Sequence, residues 1–252
     1  MIPKIIHFCW FGDNSLPELA LNCIASWKKY FPGYIIKKWN EENYDIRKIQ
    51  YISEAYDAKK YAFVSDYARF DILYQYGGIY FDTDVEVIKS FDPILNNGGF
   101  MGFESRGEVA AGLGIGCSAG LSIIYQILKF YEKLHFFNSD GTYNLKTVVE
   151  YVTAILRENG LREENTIQVL NGFFIYPTEY FAPKNYMTGV IEITKNTYSI
   201  HHYDGSWLNV HMKKLLREKA FLAARIKNKQ LISILYKCCT IKKILFEKFK
   251  IL

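Results

Sequence analysis

Ala62-Phe63-Val64-Ser65-Asp66-Tyr67-Ala68-Arg69-Phe70-Asp71-Ile72-Leu73-Tyr74-Gln75-Tyr76-Gly77-Gly78-Ile79-Tyr80-Phe81-Asp82-Thr83-Asp84-Val85-Glu86 is the stretch on which the fold turns. In its first half Ala62, Arg69, Leu73 and Tyr76 recur at helical intervals, which predicts a helix. Ser65 or Asp66 can cap its first turn, and Gly77-Gly78 supplies a left-handed stop. Ile79-Tyr80-Phe81 then reads as a short buried strand. It runs out into two carboxylates, Asp82 and Asp84, separated only by Thr83.

A strand that ends in Asp-x-Asp presents two hard oxygen ligands at the carboxyl edge of a sheet, where open α/β sheets bind their ligands. Two carboxylates suit Mg²⁺ or Mn²⁺, which complete their shells with water and substrate phosphate. An isolated Asp-x-Asp is most often a solvated turn. Here the apolar strand, the Gly-Gly stop and the pair Asp66/Arg69 make a more specific unit. Asp66 and Arg69 lie three apart and share a helix face, an arrangement that also suits a structural ion pair.

Working outward, Ile2–Trp10 is a strong first strand and Pro17–Tyr30 a helix with Pro at its start and Pro32-Gly33 beyond its end. Tyr34–Trp39 is a second strand, and Glu41–Lys60 is helical in parts. Downstream, Val85–Ile88 and Phe100–Glu104 read as strands, while 107–120 reads as a Gly-rich loop. Leu121–Leu134 and Leu145–Asn159 are helices, the second with a buried stripe of Val148, Val152, Ile155 and Leu156. A short strand is expected near Asn171-Gly172. This alternation predicts an α/β fold with a mainly parallel central sheet. His7 reads as an interior histidine with its hydrogen bonds met.

Half of the 252 residues are hydrophobic and 17% are aromatic, enough for one sizeable core. Five cysteines, odd in number and without metal-ligand spacing, point to a reducing compartment. The chain enters a strand within two residues of Met1, so no secretory leader is expected. The uncharged run Val109–Leu128 could span a bilayer on length alone, but Gly112, Gly114, Gly116, Gly120, Ser118, Ser122 and Gln126 favour a loop entering a helix. The net charge of +5 is unevenly placed: residues 208–252 hold 12 Lys/Arg and 2 Asp/Glu. With its recurring Leu and Ile, His211–Leu252 reads as basic amphipathic helix. It suits peripheral attachment to an anionic bilayer as well as packing on the domain. No nucleic-acid recognition motif accompanies the charge.

Ser199-Ile200-His201-His202-Tyr203-Asp204-Gly205-Ser206-Trp207 is the second informative stretch. A neutral imidazole is a competent third ligand for Mn²⁺ beside carboxylates, and both His201 and His202 are candidates.

Taken together, Ser-Asp-Tyr-Ala-Arg, then Leu73–Val85, then the His-His…Gly-Ser-Trp segment resemble glycosyltransferase family 32 over roughly Ile2 to Trp207. That family includes bacterial polysaccharide transferases and yeast initiating mannosyltransferases, and the clostridial glucosylating toxins share a related core. The resemblance implies a GT-A fold, taken as a domain over residues 1–210, and the charge pattern adds a basic helical tail over 211–252. It implies a retaining, Mn²⁺- or Mg²⁺-dependent transfer of a hexose from a nucleotide sugar. UDP-galactose or UDP-glucose is the preferred donor and GDP-mannose the runner-up. The acceptor would be a lipid-linked glycan, met at the inner face of the cell membrane in bacterial surface polysaccharide (capsule or O-antigen) synthesis.

The same resemblance assigns roles. Asp66 would accept sugar hydroxyls and Arg69 donate to substrate oxygens. Asp82 and Asp84 would hold the metal, with His202 as third ligand and Thr83 beside the donor. Backbone around Phe8 and Trp10 would hold the base and ribose, with an aromatic face for stacking, and Ser206 and Trp207 would close over the diphosphate. Apart from the resemblance, Glu104 at the end of its strand is a candidate acceptor-side carboxylate, and the Gly-rich loop 107–120 a candidate mobile acceptor wall. Gly172-Phe173 departs from the family's Gly-Pro. Two other classes remain open on the residues alone: a metal-dependent phosphohydrolase, and a non-catalytic carbohydrate- or membrane-binding protein.

Overall fold

In a computed structural model, which describes residues 1–186 and 188–205, the chain divides into two compact units. The larger comprises Met1–Pro183 with Glu192–Trp207. Of the other, the described part is a small turn over Lys184–Ile191, closed by an antiparallel bridge between its ends. The basic tail, Cys238, Cys239, Ser206 and Trp207 lie outside the described residues.

The larger unit runs β1 (Ile5–Cys9), α1 (Glu18–Tyr30), β2 (Ile35–Trp39), α2 (Gln50–Asp57), α3 (Tyr61–Tyr76), β3 (Gly78–Tyr80), β4 (Val85–Val87), α4 (Asp92–Leu95) and β5 (Gly99–Ser105). It continues through β6 (Glu108–Ala110), a 3₁₀ turn (Ala111–Leu113), β7 (Ile115–Cys117), α5 (Ser122–Tyr131), α6 (Val148–Glu158), β8 (Gln168–Leu170), β9 (Phe173–Tyr176), α7 (Thr178–Phe181) and β10 (Ser199–His201). The main sheet has the order β2-β1-β3-β7-β5-β9-β8, with β6 on β5. Strands β2, β1 and β3 are mutually parallel, and β5 is parallel to β9. Antiparallel β7 joins the two groups, so β1, β3, β5 and β9 all end at one edge. This is the mainly parallel α/β sheet that the alternation predicts.

Two apolar clusters cover the sheet. One gathers Tyr51, Ile52, Val64, Phe70, Leu73, Ile127 and Val152 from α2, α3, α5 and α6. The other gathers Trp27, Phe31, Phe81, Phe91, Phe100 and Phe181. A sheet covered on both faces needs near-continuous apolar strands, which is how Ile5–Cys9 reads. Helix α3 is buried from Asp66 through Leu73 and turns no face to solvent along that run, as its central position requires.

The decisive glycines act as expected. Gly77 and Gly78 have φ of 63° and 101°. A Cβ at Gly78 would lie 2.7 Å from the Ile5 carbonyl oxygen, so the glycine also lets β3 close on β1. The start of α3 differs from expectation. The helix begins at Tyr61, placing Ser65 and Asp66 inside it rather than at its cap. Ser65 Oγ donates back to Tyr61 O at 3.1 Å, the usual way for a serine in a helix interior to satisfy its hydroxyl.

One further expectation is corrected. Segment 107–120 is not a mobile loop: it forms β6, the 3₁₀ turn and β7, and Val109–Cys117 is buried throughout. The short strand expected near Asn171-Gly172 is present as two, β8 and β9, with this pair as the tight turn of their hairpin. Its φ values of 51° and 81° are the left-handed pair that such a turn requires.

His7 is an interior histidine, 1% exposed. Trp39 Nε1 donates to its Nδ1 at 3.1 Å, so Nε2 carries the proton and donates to Gly77 O at 2.9 Å. Burial, chiefly, lowers its pKa from 6.5 to about 4. Protonation would set an N–H at Nδ1 against the Trp39 N–H. Between pH 6.5 and 4 the unfolded chain binds more protons, so stability rises with pH across that window and is lost as pH falls through it. The shift corresponds to about 3 kcal/mol. Denaturant unfolding at pH 7 and 4.5 should show this slope in the wild type and a flatter one in His7→Gln. Equal slopes in both would remove His7 as its source.

Candidate active site

The carboxylates of the Asp-x-Asp turn stand where β3 leaves the sheet. Phe81 N donates to His7 O, Asp82 N to Gly112 O at 3.3 Å, and Val85 N closes the turn on Asp82 O at 3.1 Å. The turn is thus tied to β1 on one side and to the 3₁₀ turn on the other.

Arg69 binds this turn to α3. Its Nη2 lies 2.8 Å from Asp66 Oδ1 and 3.2 Å from Asp82 Oδ1, and its Nε donates to Ser65 O at 3.1 Å. The guanidinium sits 5.0 Å over the Tyr80 ring, while Tyr80 OH donates to Asp82 Oδ1 at 3.1 Å. Asp66 and Arg69 therefore do share a helix face, and Arg69 spends its fork on the two carboxylates. Burial pushes Asp66 up to about 7, against the pull of Arg69. Burial likewise raises Asp82, again opposed by Arg69.

Asp84 has the opposite electrostatics. Burial alone would raise its pKa, but His201 and the Asp204 N–H hold it well below the usual carboxylate range. His201 Nε2 lies 3.1 Å from Oδ1, and Asp204 N donates to Oδ2 at 2.9 Å. The antiparallel β4–β10 pair, with His201 opposite Val85, brings these groups together. His202 goes elsewhere: its Nε2 lies 2.9 Å from Glu86 Oε2. Strand register, not spacing, decides which imidazole meets Asp84, and it is His201 rather than His202.

The nucleotide-side expectations divide. The Phe8 side chain is buried in the core, edge-on to Trp27 at 5.8 Å, and presents no stacking face. Trp10 lies at the edge, with Nε1 donating to Asn14 O at 2.6 Å. With Leu19, Thr83, Asp84 and Asp204 it lines a cavity of about 20 Å³, room for one water. Thr83 is thus beside Asp84 and Trp10. Glu104 ends β5 on the same edge.

The pair fits a divalent ion. Asp82 and Asp84 offer hard oxygens whose side chains are 28% and 18% exposed, leaving lone pairs toward solvent. Among the described residues no three His, Cys, Asp or Glu converge into a closed metal cluster. The remaining ligands would be water or diphosphate, as Mg²⁺ and Mn²⁺ accept.

Sequence reasoning missed Gly112. A Cβ there would lie 2.2 Å from Asp82 Oδ2. The signal was legible in Gly112, Gly114 and Gly116: glycine at every second residue marks close backbone approach rather than a loose loop. Gly112→Ala should retain the fold but displace the Asp82 carboxylate, lowering kcat about 10- to 100-fold. Steady-state kinetics beside a thermal melt check this; unchanged kcat would mean that the Asp82 position is unimportant.

Residues 17–100 match the family model described as the glycosyltransferase sugar-binding region containing DXD motif. Two curated relatives from Schizosaccharomyces pombe are similar over part of the chain. Inositol phosphoceramide mannosyltransferase 1 is 32% identical over 111 residues, 40% of this chain and 33% of the relative. Inositol phosphoceramide mannosyltransferase 3 is 35% identical over 103 residues, 38% and 28% respectively. The chain thus matches about a third of the length of these relatives. Among solved structures, the PaToxG glycosyltransferase superposes with a TM-score of 0.47 at 21% identity, covering 62% of this chain and 68% of that one. A glycosyltransferase involved in glycosylation of the major capsid of PBCV-1 gives 0.44 at 14%, covering 85% and 100%. Residues 17–100 thus carry a glycosyltransferase sugar-binding region, with its Asp-x-Asp turn at the carboxyl edge of a mainly parallel α/β sheet.

Proposed function

We propose that this protein transfers a hexose, with retention, from a nucleotide diphosphate sugar to an acceptor hydroxyl. The observation that carries the reading is the pairing of an ionised Asp84 with Asp82 at the sheet edge, backed by Asp66 and Arg69. A divalent ion held by Asp82 and Asp84, with His201 beside them, would neutralise charge on the departing diphosphate. Arg69 keeps the first carboxylate aimed while Asp66, next to it, is available to sugar hydroxyls. Trp10 and Thr83 line the donor side, and Ser206 and Trp207 complete it in the resemblance. No side chain declares itself a covalent nucleophile, so a front-face reaction is the working mechanism.

UDP-hexoses remain the preferred donors from the resemblance. GDP-mannose is the runner-up, in keeping with the mannosyltransferase names of the two yeast relatives, which also suggest inositol phosphoceramide as a lipid-borne acceptor. The test is a panel of UDP-galactose, UDP-glucose and GDP-mannose with and without Mn²⁺, following nucleoside diphosphate release. Release of inorganic phosphate instead would favour the phosphohydrolase. No turnover with any donor would favour a binding protein.

Residues 208–252, with a balance of +10, are proposed to hold the enzyme at an anionic membrane surface. Among the described residues no helix is long and apolar enough to cross a membrane. Liposome sedimentation at low and high salt checks this attachment. Salt-independent binding, or none, would refute it.

A further inference from the structure

Strand β5 ends on the same edge as β3, and its last turn is irregular. Phe103 pairs with Val109 and Ser105 with Glu108, with the register slipping between them at Glu104. A bulge of this kind takes one residue out of the ladder and re-aims its side chain. The irregularity is held in place. Ser105 Oγ donates to Glu108 Oε2 at 2.6 Å, Val109 N to Thr153 Oγ1 at 2.9 Å, and Arg157 Nη2 to Gly107 O at 3.2 Å. Two of these three contacts come from α6, so the bulge is anchored to a helix and not frayed.

Glu104 itself is half-buried, and among the described residues it makes no hydrogen bond or ion pair. The neighbouring carboxylates each have a protein partner: Asp66 and Asp82 meet Arg69, and Asp84 meets His201 and the Asp204 N–H. Glu104 nevertheless lies within electrostatic reach of that group. Burial raises its pKa, His201 opposes this, and Glu108 and Asp82 add to it. A half-buried carboxylate that no protein group satisfies keeps its oxygens open to water or to the hydroxyls of a ligand. A hydroxyl-rich molecule beside the Asp-x-Asp turn is such a ligand.

We propose that Glu104 is an acceptor-binding residue, accepting a hydrogen bond from a hydroxyl of the sugar acceptor. The proposal rests on the transferase reading above. Glu104 takes no proton in this role; it holds the acceptor and sets which sugar is received. The donor side, built on Asp66, Arg69, Asp82 and Asp84, does not depend on it.

The experiment separates the two sides. Wild type, Glu104→Gln and Glu104→Ala are assayed for release of nucleoside diphosphate without acceptor, and for transfer to methyl α-mannoside and methyl β-galactoside. Both variants should keep donor hydrolysis within about twofold while kcat/KM for the acceptor probe falls about tenfold or more, mainly through KM. Binding of the same glycosides without donor, followed by saturation-transfer NMR, should weaken in parallel. Equal loss of hydrolysis and transfer in the isosteric Gln variant would overturn the proposal, as would an unchanged acceptor KM and unchanged NMR binding. Absence of donor turnover in the wild type would sink the transferase reading, and this proposal with it.

Discussion

Asp84→Asn will reduce donor turnover by roughly a thousandfold, about 4 kcal/mol of lost transition-state stabilisation. The side chain is held ionised by His201 and the Asp204 N–H, so the wild-type charge is present across the working pH range. Asparagine keeps one acceptor oxygen but removes the negative charge and turns an N–H₂ toward one of the two donors. Divalent-ion affinity should fall with kcat, since both draw on the same oxygens. The fold should survive, because the side chain is partly exposed and belongs to a turn rather than to the core. Nucleoside diphosphate release over a Mn²⁺ titration, together with a thermal melt, checks both parts. A wild-type rate in this variant would refute the metal-site assignment.

Arg69→Lys should be nearly as damaging, although charge is kept. The guanidinium reaches Ser65 O, Asp66 Oδ1 and Asp82 Oδ1 while lying over the Tyr80 ring. An ammonium is a point donor on a flexible stem and cannot span that set. At least one buried carboxylate then loses its partner, at a cost of about 3 kcal/mol. We expect a lower Tm and at least a hundredfold loss of kcat, because Asp82 is no longer aimed. Normal melting with normal kinetics would return Arg69 to a dispensable surface-type pair.

Several tertiary facts were out of reach of the sequence for identifiable reasons. Both imidazoles of His201-His202 have suitable chemistry, and local spacing does not rank them. The ranking comes from β4–β10 pairing across more than a hundred residues, which gives Asp84 to His201 and Glu86 to His202. That Arg69 also reaches Asp82 is seen only once α3 is packed beside the Asp-x-Asp turn. Gly112 reads as loop until β7 is found between β3 and β5, where a side chain at that position would strike Asp82.

What the sequence determined by itself was local: the helix of residues 62–76, the Gly-Gly stop, the strand into Asp82 and Asp84, and the α/β alternation. Periodicity, glycine geometry and burial of apolar runs act over a few residues and so can be read there. The tertiary structure decided which of the chemically equivalent groups meet. That choice depends on strand order and register, and on where Glu104 is placed by a bulge whose partner strand and supporting helix lie further along the chain.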